Sequence, residues 1–312
     1  MMSNALSSTL PGLWSRLRLP GVLAAAEPQT APAEAEGLHP ALAALVAVGV
    51  CVLVVWIVRR IADPSKISLR RAPGRPNAVH PVHLVGILLA MWLSAAVAQG
   101  LLRGLVVPSA AEGAARKAAE ARLAIASGLV GSCVWLLAGL VVARVSFRHG
   151  LARGLGLSCR RWLYDSARAL LGYLAVLPIC VGLLLLLLHI FLIFGAEPHP
   201  HPVLEGWAAF PPAWRVLSTV SAVVLAPLTE EVFFRGLLQS MIRRWSPSPW
   251  VAIVAASVLF TAFHVNQPQA LPSLFALSVA LGYNYERTGR LYAPILIHAV
   301  FNAVNLWVWT SS

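Results

Sequence analysis

ALLGYLAVLPICVGLLLLLLHIFLIF, residues 169–194, runs for 26 residues without a charged side chain. A helix rising about 1.5 Å per residue crosses a hydrocarbon core of about 30 Å in roughly 20 residues, so this stretch is long enough to span a bilayer. It forms the centre of an apolar run over 167–195. Comparable runs occupy 40–58, 82–107, 121–143, 214–242, 249–266, 270–286 and 291–309. None alternates with period 2, so a membrane barrel is excluded. In lipid every backbone polar group must be satisfied internally, and helices do this within one segment. The expected fold is all-α, a polytopic transmembrane helix bundle of about eight spans.

Composition agrees. The 312 residues are 58% hydrophobic and only 12% charged, about half the roughly 25% charged content of soluble domains. Mean hydropathy is +0.75. A disordered chain, a coiled coil and an ordinary soluble globule are excluded. Cys51, Cys133, Cys159 and Cys180 lack CxxC spacing and read as small buried hydrophobes rather than a disulfide or zinc framework.

Basic residues number 24 against 12 acidic, a net charge of +12. Sixteen of them lie on alternate connections: Arg59, Arg60, Lys66, Arg70, Arg71 and Arg75; Arg144, Arg148, Arg153, Arg160, Arg161 and Arg168; Arg243 and Arg244; Arg287 and Arg290. The other side carries seven: Arg16, Arg18, Arg103, Arg116, Lys117, Arg122 and Arg215. The positive-inside rule places the richer side in the cytoplasm and both termini outside, in the plasma (cytoplasmic) membrane. Topology and anionic lipid thus account for the excess, and no nucleic-acid partner is expected. Loops 59–81 and 144–166 have room for amphipathic surface helices.

Residues 1–38 read as a flexible tail, since 27–37 (EPQTAPAEAEG) lack periodicity. Arg16 and Arg18 ahead of LPGVLAAA have the outline of a signal peptide, but that apolar core is short and holds Pro20. A four-span membrane region follows over 39–210. The connection 196–213 is rich in proline, and its His199 and His201 read as solvated residues before they read as metal ligands. Residues 211–312 form a helix core with most of the chemistry.

Ionisable groups inside apolar spans are costly and by default mark function. In TEEVFFRG (229–236), Glu231 and Arg235 are spaced i, i+4 on one helical face, an ion pair that locks the helix. Glu230 is left over, rotated about 100° around the helix. A carboxyl so placed suits a general base. Pro227 removes a backbone donor just before it. In FTAFH (260–264), Phe260 and His264 share a face; in HAVFN (298–302), so do His298 and Asn302. Histidine supplies a proton shuttle or a metal ligand, and a His with an Asn one turn on can form an oxyanion hole.

EEVFFRG, FTAFH and HAVFN together resemble the three signature motifs of the CPBP intramembrane proteases. That family includes the type II CAAX prenyl endopeptidases and bacteriocin-processing or self-immunity proteins. LGYNYERTGRLYAPILIHAVFN (281–302) is similar to the family's approach to its last motif. The resemblance spans about residues 214–308, and makes 211–312 a CPBP-like catalytic core. It implies that Glu230 is the catalytic carboxylate and activates water with His264. His298 and Asn302 would stabilise the oxyanion, and Glu231 and Arg235 would orient Glu230. It leaves the metal open. A metal-free glutamate protease needs no cofactor, whereas a zinc enzyme would use Glu230, His264 and His298 as ligands.

The expected activity is intramembrane endopeptidase action on membrane-associated or lipidated peptide substrates, of the CAAX-processing type. Membrane lipid is the other expected partner. The alternatives are a non-catalytic scaffold or immunity protein, and a proton- or cation-coupled carrier. A carrier calls for polar groups in both halves of the chain, and the first four spans have almost none.

Overall fold

The computed structural model describes residues 38–63, 69, 72, 74–157, 161–196 and 210–311. The N-terminal tail, Cys159, His199 and His201 fall outside these. The elements are α1 (Pro40–Ala62), α2 (Pro81–Val106), α3 (Gly113–Ser146), the short α4 (Gly150–Leu155) and α5 (Trp162–Ile193). A continuous helix α6 follows over Pro212–Trp245, then α7 (Pro249–Ala262), α8 (Leu271–Thr288) and α9 (Tyr292–Ser311). Among the described residues there is no strand, only an isolated bridge between Asn77 and Phe147. The protein is an all-α integral membrane protein.

The spans number about six to eight. Each of the eight apolar runs falls on a helix, but six are long and apolar enough to cross: α1, α2, α3, α5, α6 and α9. Helix α7, with 14 residues, reaches only about 21 Å at 1.5 Å per residue. Helix α8 carries Asn284, Glu286 and Arg287 in its last turns. Among the described residues of loop 144–166, the six-residue α4 lies between two long helices. Cys180 is buried as expected, but Cys51 and Cys133 are exposed on the outer surface of α1 and α3.

Helices α2 and α3 pair, α1 packs on α5, α5 lies against α8 and α9, and α7 pairs with α8. Helix α6 is touched by α3, α7, α8 and α9. One core cluster gathers Phe233, Phe234 and Leu237 of α6 with Trp135, Phe260 and Tyr285. A second joins Tyr173 and Leu177 of α5 to Leu281 and Ile297.

The basic connections interlock at one end of this bundle. Asn77 Nδ2 donates to the Ser240 carbonyl at 3.0 Å, and Arg244 donates to the carbonyls of Asn77 and Val79 at 2.7 and 2.9 Å. Arg75 stacks over the Tyr285 ring at 3.8 Å, and Arg290 pairs with Asp165. Gly156 has φ +71°, and a Cβ there would lie 2.1 Å from the Gly289 carbonyl oxygen. Glycine is therefore required where the α4 turn meets the α8–α9 turn.

Gly49 is the buried residue of α1. A Cβ there would stand 2.5 Å from the Leu174 carbonyl oxygen and 2.9 Å from Pro178 Cδ. Pro178, inside α5, cannot donate to the carbonyl four residues back, and Gly49 lets α1 close over the place. Gly49→Leu is expected to destabilise the fold by about 1–3 kcal/mol, as overpacking does. Thermal unfolding in detergent checks this, with Gly86→Leu on α2, where a Cβ meets nothing within 4 Å, as the control.

Candidate active site

Helix α6 is not uniform. It is α-helical over Pro212–Val220, Ala226–Glu231 and Ser240–Trp245, and π-helical over Ser221–Leu225 and Val232–Gln239. π-Helical turns are rare and gather at functional places. Here they flank the turn that holds Pro227, Glu230 and Glu231.

Glu231 is fully buried, and its Oε1 accepts from Arg235 Nη1 at 2.8 Å and meets His298 Nδ1 at 2.9 Å. A carboxylate can only accept, so Nδ1 carries the hydrogen. Two donors on one buried carboxylate offset its loss of water. Arg235 extends the cluster, its Nη2 reaching the Ser278 hydroxyl at 2.7 Å and the Ser278 carbonyl at 3.1 Å.

Glu230 differs. Its side chain is 15% exposed against 0% for Glu231. Its Oε2 stands 3.8 Å from His298 Nε2 and has no hydrogen-bond partner. His298 thus lies between two carboxylates, bonded to the buried one and facing the accessible one.

Phe260, fully buried on α7, organises the remainder. Its ring centroid lies 4.8 Å from that of His264 and 5.8 Å from that of His298. The Arg235 guanidinium stands 4.8 Å from its centre. Counting from the starts of straight parallel helices would put His264 and His298 about 12 Å apart in depth. One ring nevertheless contacts both.

The expected site residues are therefore brought together unequally. His264 lies in the turn after α7, partly exposed, with Nδ1 2.9 Å from the Phe260 carbonyl. Among the described residues no hydrogen bond joins it to Glu230. Asn302 Nδ2 donates to the Ala222 carbonyl at 2.8 Å, so one of its two N–H groups is committed to the backbone of α6. Among the described residues, no three His, Cys, Asp or Glu side chains form a group able to hold a metal ion. Glu230, His264 and His298 do not fit a zinc site as they stand.

Sequence reasoning missed a polar ladder between α6 and α8. Arg235 meets Ser278, Gln239 Nε2 donates to the Gly282 carbonyl at 3.2 Å and to Glu286 Oε1 at 2.9 Å, and Arg243 Nε lies 3.9 Å from Glu286 Oε2. Positions 235, 239 and 243 repeat every four residues, as do 278, 282 and 286. That repeat is the signal that could have found it.

Residues 212–304 match the family model described as Type II CAAX prenyl endopeptidase Rce1-like. The chain is 31% identical over 86 residues to the "Uncharacterized 24.3 kDa protein" of Escherichia coli, covering 27% of this chain and 40% of that one. It is 33% identical over 84 residues to "Uncharacterized protein YpbD" of Bacillus subtilis, covering 26% and 40%. It is 28% identical over 98 residues to "UPF0177 protein YbdI" of Lactococcus lactis, covering 31% and 51%. The chain thus spans about two fifths to one half of the curated relatives it matches. No solved structure shows a significant match. Every side chain of the site, from Glu230 to Asn302, lies within the matched segment, and it is residues 212–304 that are similar to this family.

Proposed function

We propose that this protein is an intramembrane endopeptidase that hydrolyses peptide bonds of membrane-associated or lipidated substrates, in the manner of CAAX processing. One observation carries the reading: the partly exposed Glu230 side chain turns its buried, unpartnered Oε2 to His298 Nε2 at 3.8 Å, while the other nitrogen of His298 is anchored by the buried Glu231. The family match supports it.

In this reading a water hydrogen-bonded to Glu230 attacks the scissile carbonyl carbon, and Glu230 takes its proton. The carbonyl oxygen becomes an oxyanion, which a protonated His298 Nε2 stabilises. The C–N bond then breaks, the proton passes to the leaving amine, and a carboxylate and an amine are released. Glu231 fixes the ring of His298 and stabilises the charge of its protonated form, as the third member of a triad does. His264, with Nδ1 on the Phe260 carbonyl, offers Nε2 to substrate or water from the outer side. No step is routed through zinc. The interlocked arginine-rich end faces the cytoplasm of a cytoplasmic membrane in this reading, with both termini outside.

The test is cleavage of a quenched library of lipidated and unlipidated peptides by the purified protein in detergent. Glu230→Gln is expected to lower kcat by about 10²–10⁴-fold, the usual contribution of a general base. Cleavage that survives this change would overturn the role given to Glu230, and no cleavage together with a cellular phenotype that Glu230→Gln leaves intact would favour the scaffold reading. Wild-type activity is expected to persist in a zinc chelator. Loss that added zinc restores would return Glu230, His264 and His298 to the role of ligands.

Arg235→Met would leave Glu231 buried with His298 as its one partner, and breaking a buried pair costs about 3–5 kcal/mol. The expected outcome is a large fall in Tm. Arg235→Lys should recover only part of it, because an ammonium cannot reach both Glu231 and Ser278 as the guanidinium fork does.

A further inference from the structure

In the π-helical stretch Ser221–Leu225, the N–H of Ala226 donates to the carbonyl of Ser221, five residues back. The next bond in that register would run from residue 227 to the Ala222 carbonyl. Residue 227 is proline and has no N–H. Residue 226, four after Ala222, has spent its donor on Ser221. The helix therefore has no donor for the Ala222 oxygen. That oxygen belongs to an apolar span, where an unpaired carbonyl is costly. The group that reaches it is the Asn302 side-chain amide, at 2.8 Å, one turn beyond His298 on α9.

From this we infer that Asn302 is a positioning residue. It supplies the donor that Pro227 removes and clamps the bent turn of α6 to α9, so that Glu230, three residues after Pro227, is held facing His298. The inference rests on the protease reading above and differs from an oxyanion-hole role for Asn302. A clamp acts through the Ala222 carbonyl, whereas an oxyanion donor acts on substrate.

The two roles separate in a double-mutant cycle, because Pro227→Ala returns a backbone N–H at the required place. Wild type, Asn302→Ala, Pro227→Ala and the double variant are purified in detergent, and kcat and KM are measured on the peptide library together with Tm. Asn302→Ala is expected to lower kcat by about 10–100-fold, the scale of a misplaced catalytic group, with KM little changed. In the Pro227→Ala background the same substitution should cost at least about fivefold less than in wild type, the coupling of residues that share a partner. An equal loss in both backgrounds, near the roughly 10²–10³-fold of a lost oxyanion donor, overturns the proposal. If wild type cleaves nothing, the protease reading fails, and the Tm cycle still judges the clamp. A Tm penalty for Asn302→Ala that shrinks with Pro227→Ala supports it, and additive penalties overturn it. Asn302→Asp, which keeps the shape and loses the N–H when ionised, replaces Asn302→Ala in the same cycle if the alanine variant does not purify.

Discussion

The Glu231 carboxylate is the interaction on which the rest of the site depends. It is fully buried in the middle of the most enclosed spanning helix. It persists there because Arg235 and His298 both donate to the same oxygen. Through Arg235 it ties α6 to Ser278 on α8, and through His298 it ties α6 to α9. Three helices are thereby referenced to one charge. Without it the guanidinium of Arg235 would be an isolated buried cation, a far costlier arrangement than the paired one. The pair therefore fixes where His298 stands, and with it the geometry that Glu230 meets.

Much of this could be read in the sequence. The long uncharged runs announce a helical bundle, because only helices close their own hydrogen bonds in lipid. The i, i+4 spacing of Glu231 and Arg235 gave the ion pair directly. Other features depend on where neighbouring elements land. The π-helical turns leave no periodic mark, since φ and ψ at their ends remain ordinary right-handed values. The ring of Phe260 stands against both His264 and His298, a juxtaposition that motif spacing cannot supply. The amide of Asn302 looked like a free donor because its acceptor, a backbone carbonyl, has no side chain to announce it. The two apolar runs that fall short of the clear crossings are α7, where apolar content outruns length, and α8, where the run ends in polar turns.

Prolines inside spans follow a common pattern here. Each frees a carbonyl, and each freed carbonyl is met from another helix. Behind Pro178 the Leu174 oxygen lies against Gly49 of α1, so close that no side chain fits there. Behind Pro227 the Ala222 oxygen receives the Asn302 amide. The first solution is close approach and the second is a true hydrogen bond, and the stronger one lies beside the site.

The ladder between α6 and α8 sets a mechanical condition. Its partners are separated by 43 positions in the bonds from Arg235 to Ser278 and from Gln239 to Gly282. A constant offset means that the two helices run parallel in fixed register. Sliding α8 by one turn would bring Gly282, which has no hydroxyl, to Arg235. It would also carry Glu286 level with Gln239 and one turn away from Arg243. Intermediate positions would strand buried polar groups with no water to receive them. Helices α6 and α8 are thus keyed like a toothed rack, and shear along their seam is blocked at every step short of separating them.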